Sequence, residues 1–229
     1  MNKAPRTAIL VFANSAAKEM ESKAIPKGGE LFDTLTRKTV LKAERTGLPV
    51  FHFTEKQQVG ASFGERFTNA IATIFADGFE NIITIGNDTP LLKTEHLKKA
   101  AQQLHLGKTV IGPSTDGGFY LLGLQRINFE ATSFRNLPWQ RFSLFNRISQ
   151  WLRPNTLEII RLPVLQDVDD EQDLKSILTF SRTLSSVLVK LIHAILGRLG
   201  APFLQPQVSN DTLLSQSLYN KGSPKLIGG

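Results

Sequence analysis

The feature that most constrains the fold is a regular alternation of short apolar runs with amphipathic segments of helical length. Strands are predicted at residues 7–13, 49–53, 81–85 and 108–111. Helices are predicted between them at residues 30–45, 63–77 and 94–104. In the second helix, Phe67, Ile71 and Ile74 recur at the helical period. Alternation of this kind is typical of βαβ units, so we predict an α/β fold with a mostly parallel central sheet flanked by helices.

The rest of the chain is less regular and divides into the end of a domain, a helix and a tail. Further elements are predicted as a strand at 118–124, helices at 139–151 and 170–180, and an extended segment at 156–162. Apolar residues from Leu184 to Leu199 follow a 3.6-residue period and predict an amphipathic helix of about four turns. We therefore predict a domain over 1–180, an appended helix over 181–200 and a flexible tail over 201–229. The helix either packs on the domain or contacts a membrane surface or partner, aided by Lys190 and Arg198.

Composition excludes several classes of function. The chain has no cysteine, which rules out disulfides, thiolate catalysis and cysteine-based metal sites and is compatible with the cytoplasm, our predicted location. The net charge is +7, but +4 of it comes from positions after residue 180, and no dense basic run is interleaved with aromatic residues. We therefore predict no nucleic-acid partner. The four histidines are scattered without ligand spacing, and no G-x-S-x-G motif is present.

Two acidic turns each follow a predicted strand. The first is IGNDTP at residues 85–90 and contains Asp88; the second is IGPSTDGGFY at residues 111–120 and contains Asp116. Ligands of open α/β sheets bind at the carboxyl ends of the strands, where both aspartates fall. A strand-end carboxylate can hold Mg2+ that shares its coordination with phosphates. Alternatively, Asp88 belongs to a cap of the helix that begins near Lys93.

The second turn is predicted both to connect two strands tightly and to contact a ligand. The adjacent Gly117 and Gly118 allow a tight turn between two strands, and they also allow the backbone to approach a ligand closely. Further along the chain, Asp167 and Asp169 alternate in an extended segment and project to the same side. They either complete a metal site with Asp88, or the acids at 169–170 cap the following helix.

Two loops are candidate phosphate sites. The first follows the first strand and offers Ala13, Asn14 and Ser15, with Lys23 to pair a phosphate charge. The second precedes the helix at 63–77 and offers polar and small residues together with a cation, namely Gln58, Gly60 and Arg66. Arg66 is either a phosphate clamp or an exposed partner of Glu65 and Asp77 on the surface of its helix.

Taken together, the segments from about Thr7 to Leu174 resemble a bacterial family of GT-A-like glycosyltransferases, including arsenosugar-type members. That family is related to the molybdenum cofactor guanylyltransferases and the 2-phospho-lactate guanylyltransferases. The resemblance is carried by residues 58–67, 85–91, 112–124, 137–139 and 167–174. The chain departs from the family in the loop after the first strand, which lacks a Pro-Gly-x-x-Lys-Thr-Arg-type pattern.

The resemblance implies a GT-A (nucleotide-diphospho-sugar transferase) fold that binds a nucleotide sugar or NTP with Mg2+ or Mn2+. Asp88 then matches the metal-binding position, and Asp116 faces the donor or acceptor. Predicted nucleotide contacts include Asn87, and predicted substrate contacts are Gly117, Gly118, Tyr120 and Trp139.

The leading functional hypothesis is a metal-dependent glycosyltransferase that uses a nucleotide sugar and a small-molecule acceptor. Asp88, with Asp167 or Asp169, would hold the metal on the donor diphosphate, and Asp116 would position or deprotonate the acceptor hydroxyl. Two alternatives stay open. One is a nucleotidyltransferase that joins an NTP to a phosphorylated acceptor, and the other is a non-catalytic nucleotide-binding or scaffold protein.

Overall fold

A computed structural model describes residues 6–139, 144–152 and 158–197. Its strands are β1 (Thr7–Phe12), β2 (Val50–Phe53), β3 (Asn81–Ile85), β4 (Thr109–Pro113), β5 (Phe119–Gln125) and β6 (Ile159–Arg161). Its α-helices are α1 (Ala16–Glu19), α2 (Gly29–Glu44), α3 (Phe63–Ala76), α4 (Thr94–His105), α5 (Ala131–Arg135), α6 (Leu144–Leu152), α7 (Glu171–Ile177) and α8 (Ser186–Ile195). Short 3-10 helices lie at Arg126–Asn128 and Leu178–Thr183.

The six strands form one sheet in the order β2-β1-β3-β5-β4-β6. The pairs β1–β2, β1–β3 and β4–β6 are parallel, whereas β5 runs antiparallel to both of its neighbours, β3 and β4. The chain leaves β1 for β2 on one side and returns to β3 on the other, so β1 and β3 flank the point where the strand order reverses. In open α/β sheets this reversal opens a crevice at the carboxyl edge of the strands.

Burial explains why the central strands read as continuous apolar runs. Every residue of β3 and β4 is buried, because helices cover both faces of the sheet. One face packs on α3, α5 and α6 through residues such as Phe67, Ile74 and Phe134, and the other packs on α4 through Leu97 and Leu104. The sequence-based prediction of a mostly parallel α/β sheet is therefore confirmed.

A third apolar cluster attaches the last helix. Leu188 and Ile192 of α8 are buried against Phe32 and Leu35 of α2 and Leu174 of α7. The apolar stripe of α8 thus packs on the domain, which is the first of the two roles predicted for it. No described helix is long and apolar enough to cross a bilayer.

The structure corrects several predicted boundaries. Helix α8 is Ser186–Ile195, ten residues instead of four turns, and the helix predicted at 170–180 gives way to a 3-10 segment at Leu178 because Phe180 leaves helical φ/ψ values. The short helices α1 and α5 were not predicted. The predicted tail at 201–229, and parts of the segments predicted at 139–151 and 156–162, lie outside the described residues.

Candidate functional site

A cleft of about 840 Å3 lies at the carboxyl edge of the sheet, at the reversal between β1 and β3. It collects the loops that follow β1, β3 and β4 and the segment that follows β6. Among its lining residues are Ala13, Asn14, Lys23, Gln58, Arg66, Asn87, Asp88, Asp116, Gly118, Tyr120, Trp139, Asp167 and Asp169. Three predicted site residues are not among those that line it: Ser15, Gly60 and Gly117. Most of the predicted site residues thus meet in one place.

One wall of the cleft carries the charged side chains, and the ammonium group of Lys23 lies at its centre. Its Nζ donates to Asp88 Oδ2 at 2.8 Å, to the Val168 carbonyl at 3.1 Å and to Asp169 Oδ1. The Lys23 side chain is only 13% exposed, and burial alone lowers the pKa of an ammonium group. The negative charge of Asp88, with the hydrogen bonds to both aspartates, outweighs burial and raises the pKa of Lys23 above its usual range. Lys23 is therefore a fixed cation shared by two carboxylates.

Asp167 is the most perturbed carboxyl group of the cleft. Burial, and then the nearby charge of Asp88, raises its pKa to about 7, although Thr89 Oγ1 donates to its Oδ1 at 2.6 Å. The backbone N–H of Val168 donates to the carbonyl of Asp88 at 2.9 Å, which fixes the 167–169 segment beside the first acidic turn. Burial is the larger cause of this shift and the charge of Asp88 the smaller one, so a cation bound nearby would lower the pKa of Asp167 again.

The capping alternatives are now resolved for the acids of this segment. Asp170, not Asp169, is the N-cap of α7, since its side chain accepts from the backbone N–H groups of Gln172 and Asp173. The N-cap of α4 is Lys93, and Asp88 makes no capping contact with that helix. Asp88, Asp167 and Asp169 are therefore free of helix capping and face the cleft.

The loop after β1 is held by carboxylates that the sequence did not single out. Ser15 caps α1, and both its N–H and its hydroxyl donate to Glu55, which explains why Ser15 is not a lining residue. Glu19 is 6% exposed and lines the cleft. Burial raises the pKa of Glu19, and the nearby ammonium of Lys23 opposes this. The signal for Glu19 was weak, because a lone glutamate in a four-residue helix has no motif.

The second acidic turn combines the two roles predicted for it. Asp116 Oδ1 accepts from Ser114 Oγ and from the Gly118 N–H at 2.9 Å, which holds the turn closed. Gly117 has φ of 88°, a conformation that favours glycine, and it serves the turn only. Asp116 is exposed and lines the cleft, and its Oδ2 accepts none of the turn's hydrogen bonds.

The opposite wall of the cleft is aromatic. Phe12, Phe63, Phe119 and Trp139 line it and pack against Phe67 with ring centroids 5.0–6.5 Å apart. Tyr120 contributes little polarity, because it is 3% exposed and its hydroxyl donates to the Pro163 carbonyl. A charged wall facing an aromatic wall suits a ligand with phosphates at one end and a flat or apolar group at the other.

Arg66 and Asn87 were predicted to contact the nucleotide, and both line the cleft. Arg66 Nη1 donates to the carbonyl of Ala61, and no described carboxylate forms an ion pair with it. Glu65, its predicted partner, instead accepts from the N–H groups of Ala61 and Ser62 in a capping box of α3. The geometry thus favours a ligand-facing Arg66. Asn87 is buried and donates to Thr36, which ties the first acidic turn to α2.

Comparison with known proteins places the chain in a family. The family described as "Uncharacterized protein conserved in bacteria (DUF2064)" matches residues 8–141, more than half of the chain. The chain belongs to DUF2064. No curated protein matches this DUF2064 sequence.

Solved structures define the fold of this DUF2064 protein. One is a Desulfovibrio desulfuricans G20 protein, assigned provisionally as a nucleotide-diphospho-sugar transferase. It superposes with a TM-score of 0.71 and 22% identity, over 84% of this chain and 97% of that chain. Rv0371c of Mycobacterium tuberculosis H37Rv gives a TM-score of 0.48 with 13% identity, over 77% of this chain and all of that one. The DUF2064 chain therefore has the α/β fold of its Desulfovibrio neighbour.

The side chains of the cleft can be tested for their fit to a divalent cation. Asp88 Oδ2, Asp169 Oδ1 and the Val168 carbonyl all accept hydrogen bonds from the ammonium of Lys23, so three oxygen atoms converge on one cation. Two carboxylates and a carbonyl are hard oxygen donors of the kind that Mg2+ and Mn2+ prefer. In the described part of the chain, however, no three acidic or histidine side chains are grouped as a ready metal-binding set. The DUF2064 residues thus fit a metal that shares its coordination with a ligand.

A prediction about the aromatic wall concerns Gly64 of α3. A Cβ at this position would lie 2.5 Å from the Arg135 carbonyl and 2.6 Å from the Trp139 indole. We expect Gly64→Ala to lower the free energy of unfolding by about 1 to 2 kcal/mol, because the buried contact cannot widen freely. Gly29→Ala in α2 is the matched control, since nothing lies within 4 Å of its Cβ. Urea unfolding of both variants measures the effect, and equal stability of the two would contradict it.

Proposed function

We propose that this protein is a metal-dependent transferase that takes a nucleoside diphosphate sugar as donor and passes the sugar to a small-molecule acceptor. The observation that carries the proposal is the arrangement around Lys23, where Asp88, Asp169 and the Val168 carbonyl surround one cationic position in the cleft at the carboxyl edge of the sheet. The provisional name of the Desulfovibrio neighbour is consistent with it. The finer resemblance to arsenosugar-type enzymes and to guanylyltransferases stays a prediction.

The charged wall would bind the diphosphate. Asp88 and Asp169 would hold Mg2+ or Mn2+, with Asp167 beside them, and the metal would supply charge stabilisation to the leaving diphosphate. Lys23 would then move from the carboxylates to the phosphate oxygens, which replaces one ion pair by another at little cost. Arg66, whose guanidinium has no described carboxylate partner, would reach the same phosphates from the opposite rim.

The aromatic wall and the second acidic turn would bind the other parts of the substrates. Trp139 and Phe63 offer flat surfaces for a base or sugar ring. Asp116 uses Oδ1 to hold its own turn and has Oδ2 available to orient or deprotonate an acceptor hydroxyl. Gly118 lies two residues further along the chain and also lines the cleft.

A nucleotidyltransferase is the second candidate, and one observation favours it. Three cations, Lys18, Lys23 and Arg66, line the same cleft, and three positive charges suit a triphosphate. The two candidates differ in their products. The glycosyltransferase releases a nucleoside diphosphate from a nucleotide sugar, whereas the nucleotidyltransferase releases pyrophosphate from an NTP.

Thermal unfolding with a panel of nucleotides tests the proposal. We expect nucleoside diphosphates or their sugars to raise the unfolding midpoint by several degrees with Mn2+, because a ligand at a hundred times its Kd adds about 2.7 kcal/mol. Nucleosides without phosphates should give no shift. If no nucleotide stabilises the protein with or without Mn2+, the transferase proposal fails and a scaffold role gains support. Product analysis with the best ligand then separates the two reactions.

A further inference from the structure

A second cavity, of about 350 Å3, lies away from the cleft and shares no lining residue with it. Its walls come from the second half of α2, from the segment that joins β3 to α4, and from the start of α8. It lies between these three elements and behind the loop that carries Asp88. Its size falls within the lower range of small-ligand sites.

The cavity carries an unusual concentration of positive charge. Lys38, Lys42 and Arg45 lie on one face of α2 at positions i, i+4 and i+7, and Lys93 faces them from the joining segment. Glu95 is the one acidic residue among those that line it. No described carboxylate lies within ion-pair distance of any of the four cations. Like charges four apart on a helix repel each other, although the negative end of the α2 dipole favours Lys42 and Arg45, and a bound anion would relieve the repulsion.

Lys42 is half-buried, as is Lys38, whereas Arg45 and Lys93 are exposed. The Nζ of Lys42 donates to the Pro90 carbonyl at 3.0 Å, which is a neutral partner. Burial, and then the neighbouring charge of Lys38, lowers the pKa of Lys42 to about 8. A buried ammonium without a counter-charge is costly, and its cost falls when an anion is bound beside it.

Two helices also begin at this cavity. Lys93, Thr94 and Glu95 form the start of α4, which has 12 residues, and Ser185 is the N-cap of α8, which has 10. The N-terminus of a helix carries a partial positive charge that favours anions. The field of both helices therefore adds to the charge of the four side chains.

We propose that this cavity binds the phosphoryl group of a phosphate ester. Leu41, Leu91, Leu184 and Leu188 line the remaining wall, so the ester would carry an organic group against them. Leu41 is 44% exposed and leaves the mouth of the cavity open to solvent. A soluble phosphate monoester and a phospholipid headgroup share this chemistry. The site is independent of the proposed transferase activity, because none of its residues belongs to the cleft.

Phosphate titration of matched variants tests this site. The test variant is Lys42→Gln with Arg45→Gln, and the control is Lys98→Gln with Lys99→Gln, two exposed lysines of α4 that do not line the cavity. Inorganic phosphate and glycerol 3-phosphate are titrated by calorimetry, and backbone amide shifts of Thr94 and Ser186 report binding at the cavity, apart from any binding in the cleft. We expect affinity at these amides to fall about tenfold or more in the test variant and to stay unchanged in the control.

A second set of measurements separates the two sources of phosphate. Vesicles of phosphatidylcholine, with and without phosphatidic acid, are tested for co-sedimentation of the wild type and both variants. Binding to phosphatidic acid that is lost only in the test variant indicates a lipid headgroup, whereas binding of the soluble esters alone indicates a small ligand. The proposal is overturned if neither the soluble phosphates nor the phosphatidic acid vesicles shift the Thr94 and Ser186 amides or distinguish the test variant from the control. The single variant Arg45→Gln, at an exposed position, serves if the double variant fails to fold.

Discussion

Asp88→Asn should lower the transfer rate by about a thousandfold, because it removes the carboxylate that would hold the metal on the donor diphosphate. Asn keeps the shape of Asp88 but loses the charge that pairs with Lys23 at 2.8 Å. The measurement is kcat with the nucleotide sugar found by thermal screening, together with the affinity for Mn2+ from its paramagnetic resonance signal. Both should fall in the variant.

The control for this prediction is Asp77→Asn, which changes an exposed aspartate at the end of α3, outside the cleft. It should have wild-type activity. Folding is not expected to explain the loss in Asp88→Asn, because the broken ion pair with Lys23 and the relieved repulsion of Asp167 act in opposite directions. Wild-type turnover and Mn2+ affinity in Asp88→Asn would show that the metal site lies elsewhere.

Asp167→Asn should stabilise the metal-free protein at pH 8 by roughly 2 to 4 kcal/mol, because each unit of pKa shift corresponds to about 1.4 kcal/mol. The pKa of Asp167 is raised from 3.8 to about 7, so the folded protein holds this proton more tightly than the unfolded chain does. Stability from this group is then fully present below pH 4 and is lost as the pH rises to about 7. Asn carries no charge at any pH and can still accept from Thr89, so it avoids that loss.

The measurement is urea unfolding of wild type and Asp167→Asn from pH 4 to pH 8 in the presence of a chelator. The difference in unfolding free energy should be small at pH 4, grow through the interval up to pH 7 and then level off. Asp170→Asn is an unsuitable control because Asp170 caps α7, so Asp77→Asn is used again. A difference that does not vary with pH would mean that Asp167 is ionised in the folded state.

The sequence predicted the fold where local patterns and tertiary packing agree. Strand β3 was predicted with its observed bounds, because an apolar run buried on both faces has no competing helical period. The length of α8 was overestimated because the apolar period continues past Ile195, where the observed helix ends. The antiparallel pairing of β5 with β4 agrees with the tight turn predicted at Gly117 and Gly118, whereas the insertion of β5 between β3 and β4 is not visible in any local pattern.

The site was predictable to the extent that its residues follow strands. Asp88 and Asp116 were identified as strand-end acids, Asp167 and Asp169 as alternating acids of an extended segment, and the structure brings all four into one cleft. The pairing of Lys23 with Asp88 and Asp169 was not predicted, because it joins residues that only the complete sheet brings together. Trp139 was the one residue of the aromatic wall that the sequence analysis named, whereas Glu19, Phe12, Phe63 and Phe119 were missed. The three phenylalanines look like ordinary core residues in sequence.

The ion pairs of Lys23 also bear on when, during synthesis, the charged wall of the cleft is complete. Lys23 contacts the Val168 carbonyl across 145 positions of sequence. A nascent chain that has exposed β1 to β5 already holds Asp88 and Asp116, but it lacks the segment that supplies Asp169. Until that segment leaves the ribosome, Lys23 has only Asp88 to pair with, and one side of the cation position is missing. If the cleft binds a nucleotide as proposed, binding would become possible only after the sixth strand has joined the sheet and the segment that carries Asp169 has followed it.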